Sequence, residues 1–206
     1  MPNKIIIFDF DGTIADTFSH LLKIGNRLAD EFDFKKIQRN EITSLQKKKP
    51  IDIIKHLNVP ILKIPVILRH LKRELHKEIA TVELIPGLKE VLPQLKKKGH
   101  ILGILSSNSS ENVATFLRNH NLDFFDFVTT TSKLWSKNIQ LKKIIKSHKL
   151  NRNNVIYVGD EKRDIIAAKK AKIKVAAVTW GYNSAKVLAE YHPDYLIKNP
   201  QELLQL

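Results

Sequence analysis

The sequence contains no cysteine, which excludes disulfide bonds and thiolate chemistry. It also lacks any apolar stretch near the roughly 18 residues that a membrane-spanning helix needs. No signal peptide is expected, because the first apolar run is short and ends at Asp9. Internal repeats and low-complexity linkers are absent too. We therefore expect a cytoplasmic protein with no membrane partner.

The charge is unbalanced: 35 lysines and arginines stand against 21 acids, for a net charge of +14. Such an excess can attract nucleic acid, an anionic membrane or phosphate esters. Lys-Lys pairs recur between residues 35 and 170, which is typical of solvated helix faces. No basic stripe interleaved with aromatics and no known nucleic-acid module is evident. We expect no nucleic-acid partner, and at most modest steering of anionic substrates.

Residues 4–13 join a short strand to a pair of acids. Three isoleucines and Phe8 form an apolar run typical of a strand buried on both faces. Asp9 and Asp11 follow, with Gly12 to turn the backbone. Two acids at i and i+2 on a strand point the same way and repel each other unless a cation lies nearby. The pattern indicates a catalytic site at the carboxyl edge of a parallel sheet.

Two alternatives to this interpretation differ in strength. A polar strand end that merely starts a turn would also place aspartates here. A calcium-binding loop is disfavoured, because the acids follow a strand and no Glu stands at the last position of such a loop.

The pattern of the chain changes twice. Helical periodicity without an evident strand prevails over residues 16–82, with helices at 17–32, from Pro50 and after Pro65. From residue 86 onward strands and helices alternate, which implies parallel strands. The expected strands are 100–105, 127–130, 155–158, 175–179 and 195–197, and the expected helices are 87–98, 109–119, 139–148 and 164–171.

These elements predict an α/β fold with a doubly wound parallel sheet. Residues 1–15 and 83–206 form the expected core, and residues 16–82 a small all-helical cap domain inserted after the first strand. Two local predictions accompany this division. Pro93 should kink or shorten its helix, and Asn108 with Glu111 should form a capping box.

Further polar residues follow later strands or open later helices. Ser106 ends one strand, although a hydroxyl there can also satisfy the backbone of the next helix. Asp160 follows another strand after Gly159, and Asp164 lies near a helix start, where a carboxylate also suits the helix dipole. Lys137 precedes a helix and is preferred over Lys133 for its spacing.

In this order, these residues resemble the motifs of the haloacid dehalogenase-like (HAD) hydrolases, most of which are phosphatases. The first motif is Asp-Phe-Asp-Gly-Thr-Ile-Ala-Asp-Thr, residues 9–17. The fourth is Gly-Asp followed by a second Asp four residues later. The likeness runs nearly full length, and residues 178–184 resemble the phosphoglycolate phosphatase-like branch. It implies a HAD-type Rossmann-like core.

The resemblance also implies roles. Asp9 would attack phosphorus to form an aspartyl phosphate, and Asp11 would protonate the leaving alcohol and then activate water. Ser106 and Lys137 would stabilise the transferring phosphoryl group. The expected cofactor is Mg²⁺, bound by Asp9, the backbone carbonyl of Asp11, Asp160 and Asp164. The expected substrate-binding residues are Thr13, Ser107, Asn108 and Lys47.

The predicted substrate is a small phosphorylated metabolite, with phosphoglycolate as one guess. Lys47–Lys49 lie where this branch places its specificity loop, although a solvated charge run is an equal alternative. Asp11 argues against a dehalogenase, which lacks that acid, and phosphonate cleavage stays open. So do a phosphomutase on the same core and a non-catalytic, basic nucleic-acid- or partner-binding protein. The effect of Glu161, where many relatives have Ser or Thr, and the oligomeric state are left undecided.

Overall fold

A computed structural model describes residues 4–48, 50–131 and 136–206. It contains one sheet of six parallel strands in the order β3-β2-β1-β4-β5-β6. The strands are β1 (Ile5–Phe8), β2 (Ile101–Ser106), β3 (Phe127–Thr130), β4 (Val155–Gly159), β5 (Lys174–Val178) and β6 (Tyr195–Ile197). The predicted doubly wound α/β fold is therefore confirmed.

Nine α-helices lie within the described residues. They are α1 (Thr17–Phe32), α2 (Ile42–Leu45), α3 (Pro50–His56), α4 (Ile64–Glu78), α5 (Leu88–Lys97), α6 (Ser110–Asn119), α7 (Lys137–Ser147), α8 (Lys162–Ala171) and α9 (Ala185–Ala189). The predicted strands and helices have ends within two residues of those observed, and α2 and α9 were not anticipated. None of these helices is long and apolar enough to cross a membrane.

Strand β1 occupies the middle of the sheet because its side chains are apolar on both faces. Ile6 and Phe8 join the hydrophobic cluster that includes α5 and α6, whereas Ile5 and Ile7 join the cluster of α7 and α8. Phe8 is paired with Ile104 of β2 and with Val158 of β4. The residues that follow β1, β2 and β4 therefore meet at one edge of the sheet, where the strand order reverses.

The cap segment between β1 and β2 contains α1 to α4, and in it α1 packs against α4. Asp16 begins α1 by accepting a hydrogen bond from the backbone N–H of Ser19. The segment by which the chain enters the cap and the segment by which it returns to the core are adjacent, since the N–H of Asp16 donates to the carbonyl of Glu83. This arrangement is compatible with the predicted division at residues 15 and 83, which stays a prediction.

One local prediction is only partly tested and another is wrong. Pro93 does not shorten helix α5, which continues through it with Leu92 and Leu95 fully buried on either side, and a kink at Pro93 stays a prediction. Helix α6 is capped by Ser109, whose hydroxyl accepts the N–H of Asn112, and not by an Asn108–Glu111 box. The side chain of Asn108 is used elsewhere, as described below.

Candidate active site

Three carboxylates converge at the edge of the sheet where β1 and β4 end. Asp9 follows β1, Asp160 follows β4, and Asp164 lies in the first turn of α8. Each offers an oxygen within 4.8 Å of the others, and all three are buried, with Asp160 and Asp164 fully so. The aspartates of the first and fourth sequence motifs thus share one site.

Lys137 supplies the positive charge that contacts this cluster. It is 2% exposed, and its Nζ donates to Asp9 Oδ2 at 2.5 Å and to Asp164 Oδ1 at 2.6 Å. Burial alone would lower the pKa of Lys137, but Asp164 and Asp9 hold it well above its ordinary value. Lys137 therefore contacts two of the clustered carboxylates, and Lys133 lies outside the described residues.

The cluster has more negative than positive charge. Burial raises the pKa of Asp9 to about 7 despite the contact with Lys137. Burial, together with Glu161 and Asp164, raises the pKa of Asp160 well above its usual range. Three buried carboxylates contacted by one ammonium are the donor set of a hard divalent cation, which prefers oxygen ligands. The residues present therefore fit Mg²⁺.

Glycines allow the backbone to approach these carboxylates closely. A Cβ on Gly12, whose φ is 73°, would lie 2.6 Å from Asp160 Oδ2. A Cβ on Gly181 would overlap the same carboxylate, and one on Gly159 would lie 2.6 Å from Asp164 Cγ. The backbone can approach the two acids this closely only because the three positions lack a side chain.

Asp11 faces a different partner from the other acids. Its Oδ1 accepts a hydrogen bond from Asn108 Nδ2 at 3.0 Å, and Asp11 is only partly buried. Burial raises the pKa of Asp11 from its usual value, although the bond from Asn108 opposes that shift. The side chain of Asp11 is not among the three clustered carboxylates, and a metal contact through its backbone carbonyl stays a prediction.

The other predicted residues are distributed around the site. Ser106 is fully buried, and its Oγ accepts the N–H of Asn108 at 2.9 Å. The hydroxyl of Thr13 donates to Asp160 Oδ1 at 2.8 Å, so Thr13 orients an acid of the cluster. Ser107, the next residue in the chain after Ser106, is partly buried. Lys47 is exposed on the cap, while Lys49 lies outside the described residues.

Tyr182 was not anticipated as a residue of the site. Its backbone N–H donates to Asp160 Oδ2 at 2.7 Å, and its hydroxyl lies 3.2 Å from Thr17 Oγ1. Its ring also meets Phe18 edge-to-face in α1. Residues 178–184 resemble the family branch, and the only local signal for this contact is a glycine followed by a large polar aromatic, Gly181-Tyr182.

Glu161 and Arg163 form a second unanticipated feature. Glu161 is the N-cap of α8: its backbone carbonyl accepts the N–H of Asp164 at 2.9 Å, and the Asp164 side chain accepts the N–H of Glu161 at 3.0 Å. The Glu161 side chain is paired with Arg163. The charge of this acid is therefore neutralised by a neighbour.

Comparison with known proteins places this site in a family. Residues 6–178 match the model of the haloacid dehalogenase-like hydrolases. The chain is 33% identical over 203 residues to a phosphoglycolate phosphatase from Synechococcus elongatus, with 98% of this chain and 96% of that protein covered. It is 24% identical to a pyrophosphatase from Bacillus mycoides, with 100% and 97% covered.

A solved structure has the same fold. A haloacid dehalogenase-like hydrolase from Streptococcus pneumoniae superimposes with a TM-score of 0.83 at 21% identity, over 98% of this chain and 97% of the other. The chain belongs to the haloacid dehalogenase-like hydrolases, in their phosphoglycolate phosphatase-like branch. The chain is therefore an enzyme of the phosphatase class within this family.

Proposed function

We propose that this protein is a Mg²⁺-dependent phosphatase that hydrolyses a small phosphate monoester through an aspartyl-phosphate intermediate. The observation that carries the proposal is the buried Asp9 carboxylate, held by Lys137 beside Asp160 and Asp164 at the end of the central strand. A carboxylate in that position is both a nucleophile and a ligand for a cation.

Asp9, Asp160 and Asp164 would hold the Mg²⁺ ion. When bound, the ion would supply positive charge to the phosphoryl oxygens. Asp9 forms the bond to phosphorus, and the ester oxygen leaves with a proton from Asp11. Water then attacks the aspartyl phosphate as Asp11 takes its proton, which regenerates Asp9 and releases phosphate. Asn108 holds Asp11 for both transfers through its 3.0 Å hydrogen bond. The Nζ of Lys137 would place positive charge beside the transferred group.

The substrate proposal extends only to a class. The cyanobacterial relative is named a phosphoglycolate phosphatase and the Bacillus relative a pyrophosphatase, so the names of relatives do not agree on one ester. The cap contacts the core directly, since Gln46 Nε2 donates to the carbonyl of Gly181 at 2.9 Å. A cap of residues 16–82 closing over a core of residues 1–15 and 83–206 favours a small phosphorylated metabolite. A cytoplasmic location stays part of this proposal.

The test is release of phosphate from an aryl phosphate by the wild-type protein and by Asp9→Asn. We expect activity that requires Mg²⁺, stops on chelation and is lost in Asp9→Asn. Asp123→Asn is the matched control, because Asp123 is exposed and distant in sequence from the motifs. Equal activity in wild type and Asp9→Asn would refute the nucleophile.

The same assay separates the alternatives. A phosphomutase would return a phosphorylated sugar instead of inorganic phosphate when offered a sugar phosphate. A non-catalytic binding protein would show no phosphate release, bind nucleic acid in a salt-dependent way and be indifferent to Asp9→Asn.

A further inference from the structure

A cavity of about 200 Å³ lies between the cap and the core, and two of the residues that line it, Tyr182 and Glu161, donate backbone N–H bonds to Asp160 and Asp164. Half of the residues that line it are apolar and come from the cap; the other half are polar and come mainly from the core. The apolar side chains are those of Phe18, Leu22, Ile37, Ile42, Leu45 and Ile53. The polar half includes Gln46, Lys48, Glu161, Lys162, Tyr182 and Asn183.

Tyr182 joins this cavity to the proposed reaction centre. One side of its ring lines the cavity, and the other side packs over Gly12. Gly12 lies between Asp9 and Thr13 in the sequence. Its hydroxyl bonds to Thr17, and its backbone N–H bonds to Asp160. Tyr182 therefore lies between the cavity and the proposed reaction centre, and the two are one side chain apart.

We propose that the cavity receives the leaving group of the substrate and that this group is a predominantly apolar alcohol, such as a medium-chain or aromatic one. The inference rests on the proposed phosphatase function and specifies its substrate class. Small-molecule sites typically combine an apolar wall with a few polar groups that fix orientation, which is the composition here.

The cavity is too large and too apolar for the two-carbon acid of phosphoglycolate. A water molecule occupies about 30 Å³ of liquid volume. With the two-carbon acid bound, the cavity would therefore still hold several waters against six apolar side chains. Removing such water from apolar surface is the main source of affinity for a longer chain.

The polar half does not contradict this substrate class. The carboxylate of Glu161 is paired with Arg163, and Gln46 is bonded to the Gly181 carbonyl. Lys48 and Lys162 have no ion pair within the part of the chain that the structure describes. Their charge suits attraction of the phosphate dianion on its way into the site.

The test compares ethyl phosphate with hexyl phosphate, whose alcohols are nearly equal as leaving groups. Burial of four additional methylenes is expected to raise kcat/KM on the order of a hundredfold. Phosphoglycolate is expected to be cleaved no better than ethyl phosphate. Equal values for ethyl and hexyl phosphate, or a preference for phosphoglycolate over hexyl phosphate, would overturn the proposal.

A pair of variants on helix α3 locates the effect. Ile53 lines the cavity, whereas Ile51 on the same helix is 49% exposed. Ile53→Asn should reduce the preference for hexyl over ethyl phosphate at least tenfold, and Ile51→Asn should leave it unchanged. Ile42→Asn is the second cavity variant if Ile53→Asn does not fold. An equal effect of the Ile51 and Ile53 variants would contradict the cavity assignment.

Binding of alkylphosphonates separates the cavity from the chemistry, because these compounds are not hydrolysed. Calorimetry should show hexylphosphonate binding tighter than ethylphosphonate to the wild type, and this difference should shrink in Ile53→Asn. If aryl phosphate is not cleaved but this binding difference is found, the phosphatase function fails and the cavity assignment stands. If aryl phosphate is cleaved and the binding difference is absent, only the cavity assignment fails.

Discussion

Replacement of Lys137 by methionine should weaken the fold and strengthen its response to Mg²⁺. The ammonium contacts both Asp9 and Asp164, and all three side chains are almost fully buried. Methionine fills similar space but leaves the two carboxylates without a counter-charge. We therefore expect a protein that folds poorly without a divalent cation and gains more than the wild type when one is added.

The expected loss can be worked from the burial of the pair. Removal of one partner from a buried ion pair costs about 3–5 kcal/mol. For a domain of this size, 1 kcal/mol corresponds to about 2–4 °C in Tm, so the variant should melt roughly 6–20 °C lower in chelator. Catalytic activity should fall as well, because the phosphoryl group loses a positive charge.

The loss should depend on pH in a defined direction. The wild-type pKa of Asp9 is raised to about 7, so its folded state binds a proton that the unfolded chain releases near pH 4, and stability falls as pH rises towards 7. Lys137 lowers that pKa. Without it, the fall should continue above pH 7, and the deficit of the variant relative to the wild type should grow there.

Thermal melting in chelator and in Mg²⁺, at several pH values, is the assay. Lys143→Met is the matched control, since Lys143 lies on the same helix and is exposed. The Mg²⁺-induced rise in Tm should be larger in Lys137→Met than in the wild type and unchanged in the control. A loss below about 3 °C, or a smaller Mg²⁺ effect than in the wild type, would refute the reasoning.

Three further predictions concern other positions. Gly181→Ala should abolish Mg²⁺-dependent stabilisation, since its Cβ would overlap the carboxylate of Asp160. Gly25→Ala in helix α1 is the control: its Cβ would have no atom within 4 Å, so denaturant titration should show stability raised by about 0.5–1 kcal/mol. Burial lowers the pKa of His100, whose ring nitrogen accepts a hydrogen bond from a backbone N–H. The unfolded chain therefore takes up the proton first as the pH drops below about 6.5, and stability should fall there. His100→Gln should remove this pH dependence in thermal melts between pH 5 and 8. Arg163→Met should destabilise the protein by leaving Glu161 unpaired, and adding Glu161→Thr should recover most of that loss; additive losses in a double-mutant cycle would contradict the pairing.

The local elements were predictable because their signals are local. The apolar run before Asp9, the helical periodicity of residues 17–32 and the glycine after β4 each report on a few neighbouring residues, and the observed elements follow them closely. The prediction that depended on competition between neighbours was wrong. Ser109 and not Asn108 caps α6, since the Asn108 oxygen accepts from the Ser109 N–H and from Asn112 Nδ2 while its amide nitrogen donates to Asp11.

The family resemblance, and with it the candidate acids, could also be read from the sequence. Asp9, Asp160 and Asp164 were selected as acids after buried strands or at a helix start, and the strand order brings them together. The roles assigned to the site residues stay predictions that the experiments above will test. The partner of Glu161 and the part played by Tyr182 could not be read in this way.

The sequence by itself determined the six strands, all helices but the short α2 and α9, and which acids stand at the ends of strands, because periodicity and chain order are properties of short segments. Only the tertiary structure decided that Lys137 contacts Asp9 and Asp164, that Gly181 and Tyr182 enclose Asp160, and that the cap presents an apolar wall beside them. Those contacts join residues more than 20 positions apart, so they depend on how packed elements meet and not on any local pattern.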